Sequence, residues 1–113
     1  MDSKPLKDAY WEIVADCLRV FHGYAPQAAR AAARALREQV EPPVDPFPGY
    51  MRDSFYNREP FNVACGIAGH DLELRDHADV YMPMMDDRYA PAERIVFANG
   101  PPRLGLLLDG QIL

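Results

Sequence analysis

The sequence predicts a mainly α-helical protein: a compact bundle of about four helices with a proline-rich crossover loop and a short C-terminal extended or β-hairpin tail. Three observations indicate this fold class. Apolar residues recur at helical spacing through most of the first 82 positions, prolines and glycines stand where helices should begin and end, and four prolines interrupt positions 41–50. A chain of 113 residues can bury one hydrophobic core, so we expect a single domain over 1–113.

The first predicted helix covers residues 5–22 and should be the centre of the core. Pro5 suits a first helical turn, and Gly23 supplies a stop signal. Its polar residues form one narrow stripe, and nearly all its other residues are apolar, so the helix should be covered on most sides. The stripe consists of Asp8, Glu12, Asp16 and Arg19.

The second predicted helix covers residues 26–40 and should lie close against the first. Pro26 opens it, and the small residues Ala29 and Ala33 fall on its apolar face with Leu36 and Val40. Alanine combines a high helix propensity with a small side chain, which permits close helix packing.

A proline-rich crossover and a third helix follow. The prolines of residues 41–57 remove amide donors and block helix formation, and the aromatic residues there should pin the segment onto the helices. These aromatics are Phe47, Tyr50, Phe55 and Tyr56. The third helix is expected over 58–68, with Pro60 in its first turn and Gly69 at its end.

The fourth predicted helix covers residues 72–82 and should stop near Met82, because Pro83 removes an amide and clashes with the carbonyl of Asp79. Residues 91–113 are expected to be extended, with short strands near 94–98 and 104–108 separated by turn residues. The apolar end of this tail must pack on its own chain, on a partner or on a second copy, so a homo-oligomer is a reasonable expectation.

The composition argues against several classes of partner. The net charge of −5 gives no average attraction to nucleic acid or to an anionic membrane. No apolar run approaches the ~18 residues that a membrane span needs. Two cysteines within helical patterns do not form a disulfide framework, and no signal peptide is visible, so we expect a cytoplasmic protein.

An acidic segment rich in methionine and tyrosine, residues 71–89, is the predicted contact surface for another protein. Acidic groups can steer a basic partner toward the surface, and adaptable apolar side chains can then bury area against it. The predicted partner-binding residues are Asp76, Asp79, Tyr81, Met82, Met84, Met85, Asp86, Asp87 and Tyr89.

Two alternative classes of function remain open at this point. A small metal-binding protein or metal-dependent enzyme could use His70, His77 and Cys65, although their spacing matches no zinc pattern. A helix-turn-helix regulator could present arginines of the second helix to a DNA groove. Those arginines are Arg30, Arg34 and Arg37.

The leading expectation is a non-enzymatic protein-binding module of bacterial type, an inhibitor, immunity or adaptor protein. It rests on the acidic segment and on the lack of a coherent catalytic set, such as a nucleophile with a base and an orienting group. No catalytic residue, metal or cofactor is predicted.

Overall fold

In a computed structural model of the protein, residues 4–41 and 54–97 are described. They form four α-helices and two short 3-10 helices, and no strand occurs within these ranges. The α-helices are α1 (Lys4–His22), α2 (Pro26–Val40), α3 (Pro60–Ala68) and α4 (Ala78–Phe97); the 3-10 helices are Ser54–Asn57 and Leu74–Asp76. The predicted mainly helical bundle is confirmed in this part of the chain.

Helix α1 is the centre of the bundle, as predicted, and packs against α2, α3 and α4. Ile13, Val14 and Leu18 on this helix are completely buried. The predicted polar stripe is wrong at one position: Asp16 is only 8% exposed, whereas the apolar Val20 is 42% exposed. Asp16 tolerates burial because it has a cationic partner on α4.

Helices α2 and α3 begin and end close to the predicted positions. Ala29 and Ala33 of α2 are buried, which lets this helix lie close against α1. Helix α3 starts with Pro60 and ends at Ala68. Gly69 follows with a left-handed φ of 68°, a conformation that glycine adopts without steric cost.

Aromatic side chains close one side of the core, as predicted for the crossover. The rings of Phe55 and Trp11 stack with centroids 5.6 Å apart. The Trp11 indole donates a hydrogen bond of 3.0 Å to the hydroxyl of Tyr56, which in turn donates to the carboxylate of Glu41. The predicted contributions of Phe47 and Tyr50 lie outside the described residues, as does most of the proline-rich crossover.

The fourth helix differs from its prediction. It begins at Ala78 and not at residue 72, and it continues through Pro83 and Pro91 to Phe97. Both prolines are exposed, so the carbonyls that lose their amide donors, those of Asp79 and Asp87, belong to exposed residues. The opposite side of the helix buries apolar side chains against the core, and this packing outweighs the two missing hydrogen bonds.

The predicted extended tail is wrong for its first seven residues, because 91–97 form the last two turns of α4. Ala92 is 7% exposed, and this burial favours the helix over the strand predicted from residue 94. The rest of the tail, with its predicted strands and its proposed role in homo-oligomers, lies outside the described residues. Within the described part of the chain, no helix combines the length and apolar character needed to cross a membrane.

Candidate functional site

The predicted contact residues lie on two structural elements and differ in their exposure to solvent. Asp76 lies in the 3-10 helix before α4, and the other eight lie on α4 itself. Exposed members are Asp76, Asp79, Met82, Asp86 and Asp87; partly buried members are Met84, Met85 and Tyr89, which pack against the core.

Tyr81 belongs to the core and is removed from the contact surface. Its side chain is 0% exposed, and its hydroxyl donates a hydrogen bond of 2.8 Å to Glu59. The same oxygen accepts a hydrogen bond of 3.3 Å from the amide of Phe61. Burial and the bond to Glu59 raise the pKa of the Tyr81 phenol well above its usual value. Tyr81 therefore joins α4 to the start of α3.

Five of the predicted contact residues are exposed, and together we call them the acidic face: Asp76, Asp79, Met82, Asp86 and Asp87. Positions 79, 82 and 86 are neighbours on one side of a helix because they are three and four residues apart. No ion pair found in residues 4–41 and 54–97 uses any of the four carboxylates. The charge of Asp87 contributes to the raised pKa of Arg88, but the Arg88 guanidinium is hydrogen-bonded to Asp16.

Apolar side chains accompany these charges. Met82 and Val80 are each 49% exposed, although both lie on a helix with a well-packed inner side. Exposed apolar groups beside unpaired carboxylates combine long-range attraction with surface that can be buried on contact. The acidic face therefore combines exposed carboxylates with an exposed apolar side chain.

An ion pair that was not predicted from the sequence joins α4 to α1. Two guanidinium nitrogens of Arg88 donate to the two carboxylate oxygens of Asp16, at 2.8 and 3.0 Å. Glu12 lies 3.7 Å from the same guanidinium. The bond to Asp16 raises the pKa of Arg88 further above its already high value. Because the partners are distant in the sequence, no local pattern could have paired them.

The set His70, His77 and Cys65 is not brought together. Cys65 is 4% exposed within the core, and the His77 ring packs against Phe21 and Phe61 with centroids 5.1 and 5.8 Å apart. Among the residues that the structure describes, no group of three or more His, Cys, Asp or Glu side chains could hold a metal ion.

The histidine beside His70 is instead His22, the last residue of α1, with ring centroids 6.0 Å apart. Burial lowers the pKa of His22, and the neighbouring His70 and His77 lower it further. His22 is about 50 residues from the other two histidines along the chain, so no local sequence pattern joins it to them.

Neither cysteine is suited to nucleophilic chemistry. Both are buried, unpaired thiols. Burial raises the pKa of Cys17 to about 12, and the charge of Asp16 adds to this effect. The Cys17 thiolate, the form that would attack a substrate, is therefore scarce at neutral pH, and Cys65 is only 4% exposed.

We expect both thiols of the native protein to resist a water-soluble disulfide reagent. Labelling of the folded chain should be at least about tenfold slower than labelling of the chain unfolded in guanidinium, because reaction requires the thiolate and access to it. Mass spectrometry of the quenched reaction would count the labelled cysteines. Rapid labelling of Cys65 in the native state would contradict its placement in the core.

Of the three arginines predicted to contact DNA in the helix-turn-helix alternative, two are exposed. Arg30 and Arg34 of α2 are exposed, whereas Arg37 pairs with Asp8 of α1 at 2.9 Å. Two exposed arginines provide few phosphate contacts for a chain with net negative charge.

A groove of about 690 Å³ lies between α2 and α3. Leu36, Val63 and Ile67 contribute apolar surface, and Arg58 and Glu59 are its charged residues. The Glu59 carboxylate accepts a hydrogen bond from Tyr81. Among the described residues that line the groove, there is no pair of carboxylates and no nucleophile with an adjacent base.

Comparison of the chain with protein families, curated proteins and solved structures finds no match. Its function is therefore inferred from the geometry of the described residues.

Proposed function

We propose that this protein is a non-enzymatic binding module that contacts a basic partner protein through the acidic face of α4. The observation that carries the proposal is the group of four exposed carboxylates without ion-pair partners in the described ranges, together with the exposed side chains of Met82 and Val80. Met82 lies on the same side of the helix as Asp79 and Asp86.

The packing of α4 supports a rigid contact surface. Tyr81 and Ala92 bury the inner side of the helix against the core, and Arg88 ties it to α1 through Asp16. A surface held in one conformation loses little conformational entropy when it binds. The carboxylates would steer a cationic partner from a distance, and Met82 and Val80 would then lose water against it.

We assign the module to the class of inhibitor, immunity or adaptor proteins of bacterial type, acting in the cytoplasm. These roles share the requirement for a charged, preformed surface and need no catalytic group. The helix-turn-helix class is less well supported, because Arg37 is already paired with Asp8.

Charge reversal of the acidic face should abolish capture of the partner. In the variant Asp76→Lys, Asp79→Lys, Asp86→Lys and Asp87→Lys, the attraction becomes repulsion, and we expect binding to weaken by more than about a hundredfold. The test is affinity enrichment from a bacterial lysate with the full chain, followed by titration of the purified partner. Wild-type affinity should fall as salt rises, because screening weakens attraction between exposed charges.

The control variant is Glu38→Lys, which reverses one exposed charge on α2 and should retain the partner. Circular dichroism would verify that both variants remain folded. Partners that stay bound to the reversed acidic face at wild-type strength would refute this function for α4.

A further inference from the structure

Two helix C-termini meet at the end of the bundle opposite Lys4. Helix α1 ends at His22 before Gly23, and α3 ends before Gly69, which His70 follows. Both glycines are left-handed, with φ of 75° and 68°, so each chain segment turns sharply after its helix. This shared geometry brings the His22 and His70 rings to a centroid distance of 6.0 Å.

The surroundings of this pair favour a cation. Each helix C-terminus carries partial negative charge from carbonyl groups that lack intrahelical donors. The amide of Tyr24 satisfies one of them, the carbonyl of Leu18, and the amide of His70 satisfies that of Cys65. Exposed Asp71 follows His70 directly, and the net charge of the chain is −5.

We propose that His22 and His70 form a two-imidazole site for a divalent ion of the late first-row metals, such as Zn²⁺ or Ni²⁺, which prefer nitrogen ligands. A metal–nitrogen distance of about 2.1 Å puts each ring centroid about 3.2 Å from the ion, so two rings on one ion have centroids about 5.2 Å apart at a tetrahedral angle and about 6.4 Å apart when the rings stand opposite each other. The observed separation of 6.0 Å, with the ring planes at 79° to each other, lies between these two values.

The third histidine does not complete the site. The His77 ring lies against Phe21 and Phe61, and turning it toward an ion would break this packing. No third protein ligand is grouped with the pair in the described ranges, so the other coordination positions are open to water or to a ligand from another molecule. The site is separate from the acidic face and does not rest on the proposed function.

Isothermal titration calorimetry of the metal-free, untagged full chain with Zn²⁺ or Ni²⁺ tests the site. We expect one ion per chain. His22→Gln and His70→Gln should each weaken binding by more than about tenfold, since loss of a ligand costs at least as much as loss of a second-shell partner. The matched control is His77→Phe, which removes the nitrogens and keeps a packed ring, and it should bind with wild-type affinity.

A second measurement identifies the ligand atoms. With Cu²⁺ in place of Zn²⁺, electron paramagnetic resonance should show hyperfine coupling to two nitrogens in the wild type and to one in each Gln variant. Absence of a stoichiometric ion, unchanged affinity in either Gln variant, or equal loss in His77→Phe would each overturn the proposal. Equal displacement by Mg²⁺ would also overturn it, because Mg²⁺ prefers carboxylate oxygens. Circular dichroism of each variant excludes unfolding as the cause of a lost signal.

Discussion

Phe61→Ala should lower the free energy of unfolding by about 3–5 kcal/mol, the cost of truncating a buried aromatic side chain. Phe61 is 0% exposed on α3, and its ring contacts Phe21 of α1 and Tyr81 of α4 with centroids 5.3 and 5.5 Å apart. Its removal would leave a cavity where three helices meet. Since domains of this size are stable by about 5–15 kcal/mol, much of the total stability would be lost.

Urea unfolding followed by circular dichroism measures this change. Val80→Ala is the matched control, because Val80 is 49% exposed on α4, and its truncation should change the free energy by less than about 0.5 kcal/mol. Similar losses in the two variants would contradict the assignment of Phe61 to the centre of the core.

Asp16→Ala should lower the free energy of unfolding by about 1–2 kcal/mol, because it removes two charge-assisted hydrogen bonds from the Arg88 guanidinium, which water can still hydrate. Arg88→Ala should have an effect of similar size, since it leaves the carboxylate of Asp16 without its two hydrogen bonds. The Arg88 side chain is 42% exposed, and contact with water keeps the coupling between the two residues below that of a fully buried pair, at about 1–2 kcal/mol.

A double-mutant cycle with Asp16→Ala and Arg88→Ala measures that coupling. The comparison pair is Arg37 and Asp8, whose side chains are 29% and 38% exposed and whose coupling should stay below about 1 kcal/mol. Arg88→Lys should recover only part of the lost stability, because a lysine cannot donate to both carboxylate oxygens in the same planar geometry. Additive effects of the two alanine substitutions would show that the pair does not join α4 to α1.

Prolines and glycines account for the success of the predictions for the first three helices. Pro26 and Pro60 can occupy a first helical turn without losing a hydrogen bond, and Gly23 and Gly69 can take the left-handed conformation that ends a helix. These properties belong to the residues themselves, so they act in the same way whatever packs around them.

Helix α4 shows where the same reasoning fails. Pro83 was expected to end the helix, yet buried or partly buried residues at 81, 85, 89 and 92 keep a helical spacing through it. That spacing was visible in the sequence. The proline costs a hydrogen bond and a steric clash, whereas the inner side of the helix gains burial along its whole length, and burial is the larger effect.

Some residues of the candidate sites could likewise be predicted from the sequence, and others could not. The carboxylates of the acidic face could be identified from their density in the sequence, because charged residues are rarely buried without a partner. Tyr81 was nevertheless predicted to lie on the surface, and Asp16 was predicted to lie on a solvated stripe. Both predictions are wrong, because both side chains are buried. Their burial depends on Glu59 and Arg88, which approach only when separate helices pack together.

Local backbone preferences and apolar periodicity are enough to predict the helical class, the limits of the first three helices and the central position of α1. Packing of the helices against one another establishes the length of α4, the Asp16–Arg88 pair and the proximity of His22 to His70. Each of these depends on a contact between residues far apart in the chain, and such contacts arise from the combined burial of several helices, which no local segment encodes.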